Sequence, residues 1–266
     1  MTGLFILQWA KVYKDKNMIK KNFTYLIVLS VALLFFSTHS MAKDTVDNQI
    51  YASLLKKHVI DKRVNYDGFK KDEKLLDEYL AILSQTDIKS LSGNHLFAFY
   101  INAYNAFTIK LVLTKYPGIN SIKEIGSFFS NPWNKKFISL RNRIVSLDHI
   151  EHDILRPKFK DPRVHFAINC ASKSCPPLLD EPYEGKTLEG QLDTQTKKFI
   201  NDKKNTFIKG DTLFISKIFK WFKKDFSDNP VLFIKRYASA ELKEKLKFYG
   251  ENINLSYLNY DWTLNR

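Results

Sequence analysis

HLFAFYINAYNAFTIKLVL, the stretch from His95 to Leu113, decides the fold because it is apolar on nearly every face of a helix. Ser92 can cap a helix here, and Pro117-Gly118 stops it after Lys115. A helix with one apolar stripe lies on a protein surface, whereas a helix that is apolar all round must be buried. The sequence therefore predicts a long helix at the centre of the core.

Two asparagines, Asn102 and Asn105, interrupt the middle of this helix. They are three residues apart, so they share one face of the helix. A buried amide without a hydrogen-bond partner costs roughly 1–3 kcal/mol, and we therefore expect partners for both side chains. Two interpretations remain open. The amides tie the helix to a neighbouring backbone, or they line the floor of a site and donate to an oxyanion.

The rest of the chain mixes short helices with hairpins. Phe137–Leu140 and Arg143–Leu147 flank one tight turn, and Thr206–Ile208 and Thr212–Ile215 flank another. Arg163–Cys170 alternates polar and apolar residues, which predicts a strand. Hairpins without a regular strand–helix alternation are typical of the α+β class. We therefore expect a single α+β domain whose mostly antiparallel sheet is packed by several helices.

Composition and charge exclude several classes of protein. Hydrophobic residues make up 44% of the 266 residues and charged residues 26%, the balance of a globular protein. Nine glycines and eight prolines are too few for a collagen-like or proline-rich chain. The formal net charge of +14 permits attraction to polyanions, but the lysines are scattered and no nucleic-acid-binding motif accompanies them. We expect no nucleic-acid partner.

The N-terminal region has the pattern of a secretory signal. The apolar run Tyr25–Phe36 follows Lys20-Lys21 and precedes Ser40-Met41-Ala42, in which small residues flank a cleavage position. Met18 suits a start site. We therefore expect an upstream extension over 1–17, a signal peptide over 18–42 cleaved near Ala42, and one domain over 43–266. The mature protein is expected in the periplasm or outside the cell, and membrane contact only through an uncleaved signal segment.

The segment from Arg163 to Pro177 carries the chain's two cysteines and a histidine. On a strand, His165 and Asn169 face one way and Cys170 the other. Five strand residues span roughly 16 Å, so a His165–Cys170 dyad needs the strand to end early. Cys175 lies beyond a turn and can double back toward either residue.

Four fates remain open for Cys170 and Cys175. A disulfide is the default in an exported protein. Alternatively, one thiol is a nucleophile activated by His165, with Glu151 or Asp261 orienting the imidazole. Metal binding lacks a recognisable ligand spacing, so we expect no metal and no cofactor. Two inert thiols are the last possibility.

Several separated stretches resemble the family catalogued as domain of unknown function 547, in the family's order and from about Tyr66 to the C-terminus. They are Tyr100–Ala106, Ile150–His152, Asp161–Pro177, Ser216–Phe222 and Tyr260–Trp262. Bacterial members are often exported, which agrees with the signal pattern, but the family carries no assigned activity. The family's recurrent polar positions correspond to Asn102, Asn105, Glu151, His165, Cys170 and Cys175. The resemblance thus implies one shared site without naming its chemistry.

A buried helix against a sheet with a histidine strand resembles the cores of papain and the transglutaminases, although no cysteine opens this helix. We therefore expect a thiol-dependent hydrolase or acyltransferase of the cell envelope. Cys170 or Cys175 attacks, His165 is the base, and Asn102, Asn105 and Asn169 contact the substrate. The alternative is a non-catalytic module that binds a small thiol, peptide or envelope component with the disulfide closed. Either way, the partner is a small molecule or a peptide.

Overall fold

The central helix, Gly93–Leu113, is buried along almost its whole length, as the sequence predicts. It is long and apolar enough to cross a membrane, yet 94% of its most apolar window is buried inside the protein. Leu76, Leu83 and Phe69 from neighbouring helices pack into the same core. Among the described residues, this helix is therefore the core of a folded unit.

The computed structural model describes residues 45–126, 131–140, 143–250 and 253–266. The expected upstream extension and signal peptide lie outside these residues. The α-helices are Gln49–His58, Tyr66–Lys71, Glu73–Gln85, Gly93–Leu113, Leu188–Ile200, Ile218–Trp221, Pro230–Tyr237 and Ala240–Tyr249. Short 3-10 helices span Ile122–Ile125, Pro132–Asn134, Pro162–Phe166 and Lys223–Phe226, and a π-helix spans His149–Phe159. The strands are Val59–Ile60, Arg63–Val64, Ile138–Leu140, Arg143–Val145, Thr206–Lys209, Thr212–Ile215 and Asn254–Tyr257.

Within the described ranges, the strands form three small sheets, which confirms the α+β class. Both predicted hairpins are present, with Ile138 opposite Val145 and Thr206 opposite Ile215. The strand Asn254–Tyr257 then joins the second hairpin in parallel. Antiparallel pairing dominates, but each sheet is small, and most of the core lies between helices.

The prediction of a strand at Arg163–Cys170 is wrong, since Pro162–Phe166 is a 3-10 helix and residues 167–170 are irregular. Asp161 accepts a hydrogen bond from the backbone N–H of Arg163, and Pro162 occupies the first helical turn. An aspartate cap followed by proline favours a helix start over a strand. The expected sheet with His165 in it is therefore absent from the described residues, and the likeness to a papain or transglutaminase core loses its basis.

Two apolar clusters meet at this 3-10 helix. Val164 belongs to the cluster around the central helix, and Phe166 to a second cluster built from the C-terminal helices. His165 lies between these neighbours in the chain and is 3% exposed. Packing of Val164 and Phe166 into opposite clusters fixes the position of the imidazole.

Candidate functional site

A cavity of about 240 Å³ opens where the central helix, the π-helix and the C-terminal segment meet. One part of its wall is polar: Asp148, Glu151, His152 and His165. Another is aromatic: Tyr104, Trp133, Trp221, Phe222, Tyr260 and Trp262. Cys170 and Cys175 also line it. The cavity therefore joins the predicted histidine, glutamate and cysteines in one place.

The π-helix His149–Phe159 supplies most of the polar wall. At the start of this helix, the Ser146 hydroxyl accepts a hydrogen bond from the His149 N–H at 3.1 Å. Asp148, Glu151 and His152 lie near its start, and all three reach the cavity. π-Helical turns are rare and frequent at functional sites. The wider turn gathers three titratable side chains on one wall.

Glu151 is 7% exposed. Burial raises its pKa to about 7, while a hydrogen bond from the Tyr104 hydroxyl and the charge of Arg156 oppose the rise, and the carboxylates of Asp148 and Asp225 add to it. A carboxyl that titrates near neutral pH in a cavity is typical of functional sites.

His165 contacts an aspartate that the sequence did not reveal. Its Nε2 lies 2.7 Å from Oδ2 of Asp225, so Asp225, and neither Glu151 nor Asp261, orients the ring. Burial lowers the pKa of His165, and because an ionised carboxylate can only accept, its Nε2–H is the donor in this contact. Arg156 holds the same carboxylate at both oxygens, at 2.6 and 3.1 Å. Burial works against ionisation of Asp225, but hydrogen bonds from His165 and Arg156 outweigh it and lower the pKa.

Cys170 and Cys175 form a disulfide, which settles their fate among the four open possibilities in this structure. The Tyr260 hydroxyl lies 3.3 Å from each sulfur. Both cysteines of the chain are used in this bond, so a thiol nucleophile exists only after reduction. No group of three or more His, Cys, Asp or Glu side chains in the described ranges is placed to hold a metal ion.

Asn102 and Asn105 have the partners that the sequence required. Asn102 bonds both backbone groups of Tyr183, donating to its carbonyl at 2.8 Å and accepting from its N–H at 2.9 Å. Asn105 donates to the Ala167 carbonyl at 2.9 Å and accepts from the Asn169 N–H at 2.8 Å. The structure thus favours the first interpretation, in which the amides tie the helix to neighbouring backbone.

Asn169 and Asp261 are likewise occupied by local contacts. The Asn169 side chain donates to the Pro176 carbonyl and accepts from the Ala171 N–H, both at 2.8 Å, and so closes the disulfide loop. Asp261 is exposed and accepts hydrogen bonds from Thr263, which lower its pKa. It lines a neighbouring groove instead of the cavity that holds His165.

The sequence did not predict roles for Asp225, for Arg156 or for the three tryptophans of the aromatic wall, Trp133, Trp221 and Trp262. Trp221 and Trp262 lie in stretches that resemble family features, so their positions were marked without a role. Asp225 stands among lysines on a short helix, sixty residues beyond His165. A buried histidine requires a polar partner, but nothing local identifies which acid supplies it.

The family described as "Protein of unknown function, DUF547" matches residues 88–200. The matched region holds Asn102, Glu151, His165 and both cysteines, and the aromatic wall from Trp221 onward lies beyond it. No curated protein and no solved structure matches the chain.

Proposed function

The chain belongs to the DUF547 family by its residues 88–200, and on that premise we propose that it is a binding module that holds a small ligand in the aromatic cavity, with the Cys170–Cys175 disulfide closed. The ligand is a small molecule or an end of a peptide. The module is a component of the cell envelope, periplasmic or secreted. One observation carries the proposal: a buried carboxyl and partly exposed tryptophans line the same cavity.

The aromatic wall supports binding. Trp221 is 46% exposed, and its ring lies 4.7 Å from that of Tyr260, which lies 4.6 Å from Trp262. Aromatic rings packed against one another give a rigid apolar surface at small entropic cost, and ligand sites combine such surfaces with a few placed polar groups. Glu151 and Asp148 supply those polar groups here.

The surroundings of the sulfurs favour binding over thiol chemistry. A reactive cysteine needs a cation or a helix N-terminus to lower its pKa. Here Asp148 and Glu151 line the same cavity, and a nearby carboxylate disfavours a thiolate. Burial lowers the pKa of His165, and its Nε2 is already bonded to Asp225.

A thiol-dependent hydrolase or acyltransferase is the second candidate, because His165 and both sulfurs line one cavity. It requires the reduced protein. After reduction, iodoacetamide should label one of Cys170 and Cys175 much faster than the other if that thiol is a nucleophile. Equal, slow labelling of both excludes this candidate. Intact mass with and without reductant reports the disulfide itself as a difference of about 2 Da.

The binding module is tested by a fragment screen followed by ligand-observed NMR. Fragments that bind the native protein should lose binding in Trp221→Ala, which removes one wall of the cavity. Phe248→Ala is the matched control, since Phe248 is 82% exposed and lies outside the cavity. Hits that bind both variants equally contradict the proposed site.

The envelope location is supported by the sequence pattern over residues 18–42. Expression of the full chain in a bacterium, followed by fractionation, should place a protein that begins near Lys43 in the periplasm or medium. A cytoplasmic protein that retains its N-terminus excludes this part of the proposal.

A further inference from the structure

We propose that the ligand carries a small organic cation, an ammonium group. It is held between the carboxylates of Asp148 and Glu151 on one side and the tryptophans of the aromatic wall on the other. This inference rests on the proposed binding function and names the chemical class of ligand.

The charges around the cavity are the first argument. The chain has 42 lysines and arginines against 28 acids, yet none of the described residues that line the cavity is a lysine or arginine. The charge of Asp225 is met by Arg156, which leaves Asp148 and Glu151 as the carboxylates of the wall. An anionic ligand would meet repulsion from these two carboxylates, and no lysine or arginine among the described lining residues would balance its charge. In a strongly basic protein, a cavity of this kind selects positive charge.

The aromatic rings are the second argument. The faces of tryptophan, tyrosine and phenylalanine attract cations within about 6 Å of the ring centre, tryptophan most strongly. Two rings of this wall already do so with the protein's own cations: Lys123 Nζ lies 3.8 Å from the centre of Trp262, and the Arg156 guanidinium 4.9 Å from that of Phe222. Trp133, Trp221 and Tyr260 extend the same surface.

Carboxylates and aromatic faces together distinguish an ammonium group from other small ligands. A neutral sugar also stacks on tryptophan, and its hydroxyls donate hydrogen bonds to carboxylates, but it carries no positive charge to balance the two carboxylates. An ammonium group gains from both walls at once. Methylated ammonium relies on the rings, and a primary amine, as on a lysine side chain, adds hydrogen bonds to the carboxylates.

The test compares choline with 3,3-dimethylbutan-1-ol, which has the same shape and no charge. Both are titrated into the purified protein at about pH 8, where Glu151 is ionised, and tryptophan fluorescence and calorimetry report binding. We expect choline to bind at least about 10-fold more tightly. Butylammonium, titrated in parallel, distinguishes a primary amine from a methylated one.

Variants link the preference to the carboxylates. Glu151→Gln and Asp148→Asn should each reduce the preference for choline several-fold, and the two variants together guard against a folding defect in one. Asp261→Asn removes an exposed carboxylate outside the cavity and should leave the preference unchanged.

The outcomes separate this inference from the function on which it rests. If the uncharged alcohol binds as tightly as choline, the cation is excluded while the binding cavity stands. If none of the three probes binds below about 10 mM, the cation is excluded too, and the fragment screen then decides whether the cavity binds anything.

Discussion

Two buried histidines in this chain each contact an aspartate at 2.7 Å: His165 with Asp225, and His58 with Asp72. His165 of the first pair lines the cavity, and Arg156 fixes the carboxylate of Asp225. The second pair lies at the end of a helix, and the other partner of its carboxylate is Lys57, which is 64% exposed. The same histidine–aspartate contact therefore occurs in two different surroundings, one beside the cavity and one at the end of a helix.

The surroundings of His58 show a purely structural pair. Its ring lies 4.9 Å from Phe69, and a Cβ atom at Gly68 would collide with it. The imidazole of His58 fills the space that a side chain at Gly68 would occupy. A histidine–carboxylate contact thus does not define a site by itself, and the neighbours of His165, above all Glu151 and the tryptophan wall, make the difference.

Glu151→Gln should change stability most, because it removes the buried carboxyl that distinguishes the His165 region. The folded-state pKa of about 7 lies above the unfolded value of 4.5, so the native protein loses stability as pH rises from about 4.5 to 7. The glutamine variant lacks this loss. The difference in unfolding free energy, variant minus native, should rise from near zero at acidic pH to roughly 3 kcal/mol in favour of the variant above pH 7.

Urea unfolding at several pH values measures this difference. The groups that act on Glu151 remain in both proteins, so their own contributions cancel to first order in the difference of unfolding free energies. These groups are Tyr104, Asp148, Arg156 and Asp225. Asp153→Asn, on an exposed residue of the same π-helix, controls for the loss of an acidic side chain, and a difference of equal size there would reveal a general effect of charge. A pH-independent difference for Glu151→Gln would contradict the raised pKa.

Asp225→Asn and Asp72→Asn test the two pairs directly. Asp225→Asn removes the charge that holds Arg156 and weakens the contact with His165, so we expect a loss of roughly 2 to 3 kcal/mol. Asp72→Asn should cost less, because the solvated Lys57 gains little from its partner. Chemical denaturation of both variants measures the losses. Equal losses would show that the two regions do not differ as described.

The central helix could be predicted from sequence because apolar residues on every face leave burial as the only solution. The need for partners at Asn102 and Asn105 followed from the same burial. The identity of these partners could not be predicted, since Tyr183 and Ala167 contribute backbone atoms, which every type of residue carries. The alternation in Arg163–Cys170 predicted a strand wrongly, because Val164 and Ile168 pack into one apolar cluster and Phe166 into the other, which produces a period of two without a strand.

The candidate site was predictable only in part. Glu151, His165 and the cysteines were named from residue type and family resemblance, and they do line one cavity. Asp225 and Trp133 come close to the cavity through contacts between segments that are far apart in the chain. Such long-range contacts cannot be predicted from a single sequence. The disulfide was one of four interpretations that the sequence left open for Cys170 and Cys175, and the structure shows that this one holds.

Replacement of both cysteines by alanine should cost roughly 2 kcal/mol, the chain-entropy value for a loop this short. The loss should be local. Hydrogen exchange should increase around Cys170 and Cys175, while the His58 region keeps its protection. Measured exchange at both regions checks this, and a rise near His58 of equal size would mean that the two regions unfold as one.

The smallest effect on stability is expected for Trp221→Ala, below about 1 kcal/mol, because the side chain is half exposed. Its effect on ligand binding should be large, and the two histidines provide the readout. In NMR spectra of the native protein, a ligand in the cavity should shift the imidazole signals of His165 and leave those of His58 in place, since only His165 of the two lines this cavity. In Trp221→Ala the shift at His165 should vanish at the same ligand concentration. A ligand that moves both histidines equally acts through the whole fold, and the distinction between the two pairs would then fail.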